Sequence, residues 1–570
     1  MRTAFILLTV FISISATAQV FPLANYPKAY FRNPLDIPIS LSGNFGELRP
    51  NHYHMGWDIR TEKRQNLPVH AAAEGYIAKI KIEPAGFGRA IYINHPNGYT
   101  TVYCHLNDFY PALEAYVKQQ QYLLNSWKVL LDVPANLFPV KKGDFIAYSG
   151  TTGGSQAPHL HFEIRKTDDD INRNPMLFGL PLPDNTVPTI KRLALYDRTM
   201  SIYEQSPRMV PVKKTATGYA TLVPVITVTT PKISFAISAS DTHTGSAKPN
   251  GIFEAILYNN LQPVLGFQMD RIGYNDTRNL NAHIDYKTRA NGGPLLQQLF
   301  ELPGYNHSIY KIVSGDGAID LSDGAVRHIA IEVKDAYGNA TRLITGIQFK
   351  QPTVPPVKPL PAGKMFYPFM IDGFESGDCE FYLGEKSLYD SVHIAYQRII
   401  SSSPNAISAV HSIGAAYIPL QDPMMVRIQP TALPDAVKRN KVVMQWFDKN
   451  KTEVEKVDWQ KGWATAAFRT MGNFQLLVDE EPPVIVPVGF TEGANMSKAS
   501  RIVFIVKDNL ESFKNFRAEL DGKWLRFTND KGKSFIYIFD EKCPAGPHSL
   551  KLSVEDEAGN VTVKTFSFTR

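Results

Sequence analysis

Cysteine is scarce. The 570-residue chain holds three, Cys104, Cys379 and Cys543, far apart and odd in number. That excludes a disulfide-stapled scaffold, and the lack of any CxxC or Cys-His spacing argues against a thiolate metal site. Blocks of Lys or Arg are also missing, so nothing points to nucleic acid. The net charge is +6. It suits contact with anionic polymers or surfaces no better than it suits an ordinary solvated exterior. Beyond the N-terminus no apolar run is long enough to span a bilayer, so no stable membrane insertion is expected. Wholesale disorder is excluded by a hydrophobic content of 44%.

The N-terminus has the three parts of a secretory signal. Arg2 supplies positive charge, residues 4–14 an apolar stretch, and Ala16-Thr17-Ala18 a small-x-small cleavage site before Gln19. No Cys follows that site, which argues against a lipid anchor. Residues 1–18 are therefore expected to be removed and the mature protein exported.

The remaining length is too great for one core and predicts roughly three to five domains. Residues 37–178 are rich in short β runs. Residues 90–94 and 99–106 read as a hairpin around Pro96-Asn97-Gly98. Alternation puts Thr101, Tyr103 and His105 on one face of its second strand and turns Cys104 to the core. Residues 110–131 break the pattern, with Leu113, Tyr116, Val117, Leu123, Leu124 and Trp127 at roughly helical spacing. This insertion either packs on the sheet or shapes the site beside His105. Further on the chain repeats itself. Residues 331–341 match 552–562, each an alternating strand, an Asp/Gly/Asn turn and a return strand; 184–190 match 479–485, and 233–241 match 502–508. The turns lack the dense oxygen series of a calcium loop and read as plain turns. Two immunoglobulin-like β sandwiches fit this repeat. The expected organisation is a first domain over 19–183 with an insertion at 110–138, an immunoglobulin-like domain over 184–350 with its own insertion near 275–317, a Pro-rich linker over 351–363, a β-rich domain of unknown type over 364–478, and a second immunoglobulin-like domain over 479–570.

Chemistry concentrates in two stretches of the first domain, His54-Met-Gly-Trp-Asp58 and His159-Leu-His161-Phe-Glu163. In a strand, residues i and i+2 share a face, so His159 and His161 point together while Leu160 and Phe162 face the core. Two imidazoles, a carboxylate and one open position make a catalytic zinc set. His52 competes with His54 but fits less well. His95, before a turn, reads as structural or as an outer partner of the site, and His70, in the apolar strand over residues 67–73, as partly buried. Glu163 either orients His161 or sits on the strand surface. Arg49 either binds a substrate carboxylate or makes a salt bridge.

These stretches, together with residues 67–75 (LPVHAAAEG), Tyr103-Cys-His105-Leu, Lys142-Gly-Asp144 and residues 149–155 running into Pro158, resemble the LytM/lysostaphin-type zinc peptidases, which cut peptide bonds of bacterial peptidoglycan. The resemblance covers about residues 40–178. It implies an antiparallel β peptidase fold of the duplicated hybrid motif kind, one zinc ion held by His54, Asp58 and His161, and a catalytic pair, His159 and His105. His159 is favoured as general base, with His105 orienting water or stabilising the oxyanion. The expected protein is mainly β, an exported zinc endopeptidase of the periplasm or cell surface of a bacterium. Its substrate would be peptidoglycan peptides, and a protein partner could bind the C-terminal β domains. The rival reading is a non-catalytic or autoinhibited peptidoglycan-binding protein that activates or recruits other hydrolases. The complete His/Asp set argues against it.

Overall fold

The structure, a computed structural model, describes residues 20–305, 308–353, 361–529, 532 and 534–570. The expected signal segment and residues 354–360 of the Pro-rich stretch lie outside these. Strands dominate, and the sheets are almost wholly antiparallel.

The site rests on one large sheet. Its strands run in the order Leu41–Gly43, Trp57–Arg60, His159–Lys166, Tyr99–Cys104, Arg89–Asn94, Gly75–Ile82 and Val129–Asp132. The Arg89–Asn94 and Tyr99–Cys104 strands form the expected hairpin, with Gly98 at φ 76° in its turn. His161 lies opposite Asp58 on one neighbour and opposite Cys104 on the other. Directly opposed residues share a face. Leu160 and Phe162 alternate to the other side and are fully buried, beside Trp57 and Tyr103.

That register corrects one expectation. Cys104 is buried, but on the face of His161, in a small cluster with Ala90, Tyr92 and Val102. Tyr103 takes the main core instead.

The insertion is only partly helical. Helix α1 (Pro111–Leu124) starts on a proline and ends at Asn125 in the left-handed conformation. Its buried positions are Leu113, Val117 and Gln121, whereas Leu123 and Leu124 are exposed and do not belong to the packed face. The helical spacing expected through residue 131 gives way to the edge strand Val129–Asp132. Its alternate residues Val129 and Leu131 are buried, and it pairs with Gly75–Ile82.

One hydrophobic core runs from Tyr26 to Leu476, while the tail from Ile485 to Phe568 has its own. Among residues 184–350 lie a five-stranded and a seven-stranded sheet; short helices fall at Leu280–His283 and Tyr286–Ala290, inside the expected insertion. Several short crossings tie this segment to the sheet of the site. Strand Arg271–Ile272 pairs with Asn172–Arg173 at the sheet's edge. Asn44 grips the backbone of Gly251, donating to its carbonyl at 2.8 Å and accepting from its N–H at 3.0 Å. The tail returns to touch α1 through Lys118, which pairs with Asp540 at 2.7 Å and Glu541 at 2.9 Å. No described helix is long and apolar enough to cross a membrane.

Candidate metal centre

His54, Asp58 and His161 each offer one ligand atom, and the three atoms lie within 4.8 Å of one another. All three residues are buried. Asp58 and His161 meet because their strands are in register. His54 reaches them from the turn before the Trp57–Arg60 strand, and Gly56 makes that turn possible. A Cβ at Gly56 would stand 2.4 Å from the Phe162 carbonyl and 3.1 Å from His161 Nε2.

The hydrogen bonds define the donor atoms. His54 Nδ1 donates to the Asn44 carbonyl at 2.8 Å, which leaves the Nε2 lone pair facing inward. His161 Nε2 donates to Glu163 Oε1 at 2.9 Å, which leaves Nδ1 facing inward. These two nitrogens lie 3.0 Å apart, each 3.0 Å from Asp58 Oδ1. Two lone pairs and a carboxylate oxygen at such distances repel unless a cation or proton sits among them. Neutral imidazoles fixed by outer acceptors and one carboxylate oxygen suit a zinc-type ion.

The electrostatics show that positive charge is wanted among these atoms, which a proton on His161 meets and a cation would meet equally. Burial pushes His54 down to about 4. Burial works against charge on His161 too, but hydrogen bonds to Asp58 and Glu163 lift it to about 9. Asp58 is buried, yet the three surrounding imidazoles hold its carboxyl well below the usual range. Glu163, likewise buried, falls to about 2 because Arg165 and His161 stabilise its charge.

His159 and His105 complete the cluster, their rings 4.7 Å apart. His159 Nδ1 contacts the Ala157 carbonyl at 2.8 Å, and its Nε2 lies 3.3 Å from Asp58 Oδ1. His105 Nδ1 donates to the Thr152 carbonyl at 2.9 Å. Strand alternation would have sent His105 to the core side with Tyr103. It returns to the site because it lies just past the strand with φ 60°, a left-handed turn that reverses the side chain. Burial and the neighbouring His159 and His161 push it down to about 3.

Glu163 is the partner of His161 rather than a surface carboxylate. Arg49 pairs with Asp58 Oδ2 and, at 3.3 Å, with Glu47, so its salt-bridge reading holds. His95 is held by Thr101 at 2.8 Å and the Glu74 carbonyl, away from the cluster. Three contributors escaped sequence reasoning. Asn44 supplies a backbone carbonyl, a role that any residue type can fill. Phe87 stacks on His161 at 5.8 Å. Tyr274 belongs to a different segment, and its hydroxyl donates to Glu163 Oε1 at 2.5 Å.

Three buried donors that could hold a metal, flanked by two further imidazoles, are the parts that a hydrolytic metal centre needs. Residues 52–126 and 138–173 match the model of peptidase family M23. An uncharacterized metalloprotease of Haemophilus influenzae is 32% identical over 27% of this chain and 28% of its own length. A DD-carboxypeptidase/endopeptidase, Mpg, of Neisseria meningitidis is 34% identical over 23% and 24%. The peptidoglycan DD-endopeptidase ShyC of Vibrio cholerae is 29% identical over 27% and 30%. The chain thus spans 24–30% of the length of these relatives. Residues 371–479 match a Zu5-like domain, the β-rich unit that had no sequence signature of its own.

Proposed function

We propose that the protein is an exported zinc metalloendopeptidase that hydrolyses peptide bonds of bacterial peptidoglycan. The observation that carries this reading is the convergence of His54 Nε2, Asp58 Oδ1 and His161 Nδ1 with their lone pairs turned inward, flanked by two further imidazoles. These three residues would hold the zinc. When bound, zinc supplies Lewis acidity and lowers the pKa of an attacking water towards ~7.

The remaining work falls to the chain's own groups. With Nδ1–H engaged by the Ala157 carbonyl, His159 turns Nε2 toward Asp58 and can accept a proton there. It takes the proton of the attacking water there and returns it to the leaving amine. His105, kept neutral and with Nδ1–H engaged by Thr152, also has its lone pair on Nε2. It therefore accepts a hydrogen bond from water; a neutral Nε2 has no proton to offer an oxyanion. Of the two roles open to His105 at the outset, water orientation is the better supported.

The peptidoglycan substrate is supported by the family M23 match and by the similarity to the Vibrio peptidoglycan DD-endopeptidase. The complete donor set weighs against a merely binding protein. The test is digestion of purified peptidoglycan by wild type and His159→Ala, with fragments identified by mass. Wild type should release peptides, and His159→Ala should keep its zinc yet lose ~10²- to 10⁴-fold in rate. A variant as fast as wild type removes His159 from the mechanism.

A further inference from the structure

A second cluster lies outside the peptidase domain. Asp184, Asp241 and Asp335 come from distant parts of the chain. Asp184 precedes the Thr189–Asp197 strand, Asp241 follows directly on the Lys232–Ser240 strand, and Asp335 opens the turn after Arg327–Lys334. Each offers a carboxylate oxygen within 4.8 Å of the other two, and all three residues are buried.

Two of the carboxylates are held in place. Asp184 Oδ1 accepts from the backbone of Thr186 at 2.9 Å and of Thr244 at 3.1 Å. Asp335 Oδ1 accepts from the N–H groups of Tyr337 and Asn339, and its Oδ2 from the Asn339 amide at 2.6 Å. Asp241 differs. It is 6% exposed, and its Oδ1 has no hydrogen-bond partner. Beside it stands a neutral group in the same condition. Asn250, also 6% exposed, has an unpartnered Oδ1. Asp241 and Asn250 exchange both backbone hydrogen bonds, at 3.0 and 2.7 Å. Such opposed residues project their side chains to one face, a few ångströms apart. Among the described residues none of the three aspartates forms a salt bridge with Lys or Arg. His243, which contacts Asn250, is pushed down by burial and supplies no charge.

Three buried carboxylates without a counter-charge are strongly unfavourable. We infer that Asp184, Asp241 and Asp335, with the Asn250 amide oxygen, bind a hard divalent cation of the calcium type. The donors are all oxygens, with no nitrogen or sulfur to favour zinc. Oxygens bound to one calcium at ~2.4 Å lie at most ~4.8 Å apart, which matches this cluster. A loop motif is absent because the ligands come from three strand ends instead of one segment. The carboxyl of Asp241, pushed up to about 7 by burial and by Asp184 and Asp335, reflects the same need for positive charge.

The position gives the ion a purpose. Asn250 leads into Gly251, which Asn44 grips, and the Asn44 carbonyl receives His54 Nδ1. The cation would brace the segment on which a peptidase metal ligand leans. The tail repeats the three positions as Asp479, Asp508 and Asp556. There Asn509, standing where the first copy has Thr242, donates its amide to Asp479 Oδ1 at 2.9 Å.

The test is calorimetric titration of the full, zinc-loaded chain with calcium, together with its melting temperature. Wild type should bind calcium saturably and melt several degrees higher when loaded. Asp241→Asn removes a charge without breaking a hydrogen bond at Oδ1, so it should fold, bind calcium at least tenfold more weakly and lose the melting shift. His161→Ala should bind calcium as wild type does. Absence of binding in wild type overturns the inference. So does undiminished binding in Asp241→Asn, or loss of binding in His161→Ala, which would move calcium to the peptidase centre.

Discussion

Tyr274 donates its hydroxyl to Glu163 Oε1 at 2.5 Å, the same oxygen that receives His161 Nε2. A residue from beyond the segment that matches family M23 thus helps to fix the orientation of His161, one of the proposed metal ligands. The edge pairing of Arg271–Ile272 with Asn172–Arg173 delivers it there. Outer partners of this kind typically contribute 10- to 100-fold in metal affinity. Tyr274→Phe should lose ~10-fold in zinc affinity by chelator competition, with its far-ultraviolet spectrum unchanged. Glu163→Gln should lose more. Unaltered affinity in both variants would show that His161 needs no outer support.

His105 should behave as a neutral group throughout. Burial and two neighbouring imidazoles hold it at about 3, so its charge changes far below neutrality. The pH–rate profile should therefore have no limb from His105 above pH ~4. His105→Ala should retain zinc and lose at least ~10²-fold in kcat. Loss of zinc along with activity would instead make it a ligand.

The tail's hold on helix α1 should be weak but detectable. Lys118 pairs with Asp540 and Glu541, Arg526 donates to Gln121 at 2.9 Å, and Tyr122 meets Trp524 edge-on at 5.1 Å. Exposed ion pairs contribute at most ~1 kcal/mol each. Lys118→Glu should leave the melting temperature nearly unchanged while speeding amide exchange in residues 111–124. Exchange at the wild-type rate would mean that the tail does not protect the helix.

Stability should depend on pH through Asp241. Its folded carboxyl titrates at about 7, against ~3.9 in an unfolded chain. The folded state then binds the proton more tightly. In calcium-free buffer stability should fall as pH rises from ~4 to about 7. Asp184 and Asp335 face Asp241 and raise it, while His243 beside Asn250 is lowered by burial and works in the opposite direction near its own titration. Calcium, or Asp241→Asn, should flatten the decline in urea midpoints. A decline of equal slope in the variant would assign it to another group.

Part of the candidate centre obeys a local rule: HxH on a strand puts His159 and His161 on one face. Their meeting with His54 and Asp58, more than 100 positions away, depends on strand register and was expected only from the family resemblance. His105 was legible as a site residue only through the family resemblance. Simple alternation placed it on the core side, and a left-handed residue is invisible to that pattern. The end of the helical insertion was misjudged because Leu123 and Leu124 continue the helical spacing. Asn125 stops the helix, and Val129 and Leu131 then follow the period of a strand. Tyr274 and the three aspartates were out of reach for a different reason. Both depend on contacts between residues far apart in the chain, which no local spacing encodes. The Zu5-like segment had ordinary alternating strands and no diagnostic turn.

The most direct measurement is zinc content and peptide release from purified peptidoglycan, for wild type and His161→Ala together. The account predicts about one zinc per chain and released peptides for wild type, with both lost in the variant. A wild-type protein that holds no zinc, or a variant that hydrolyses peptidoglycan at the wild-type rate, would contradict it.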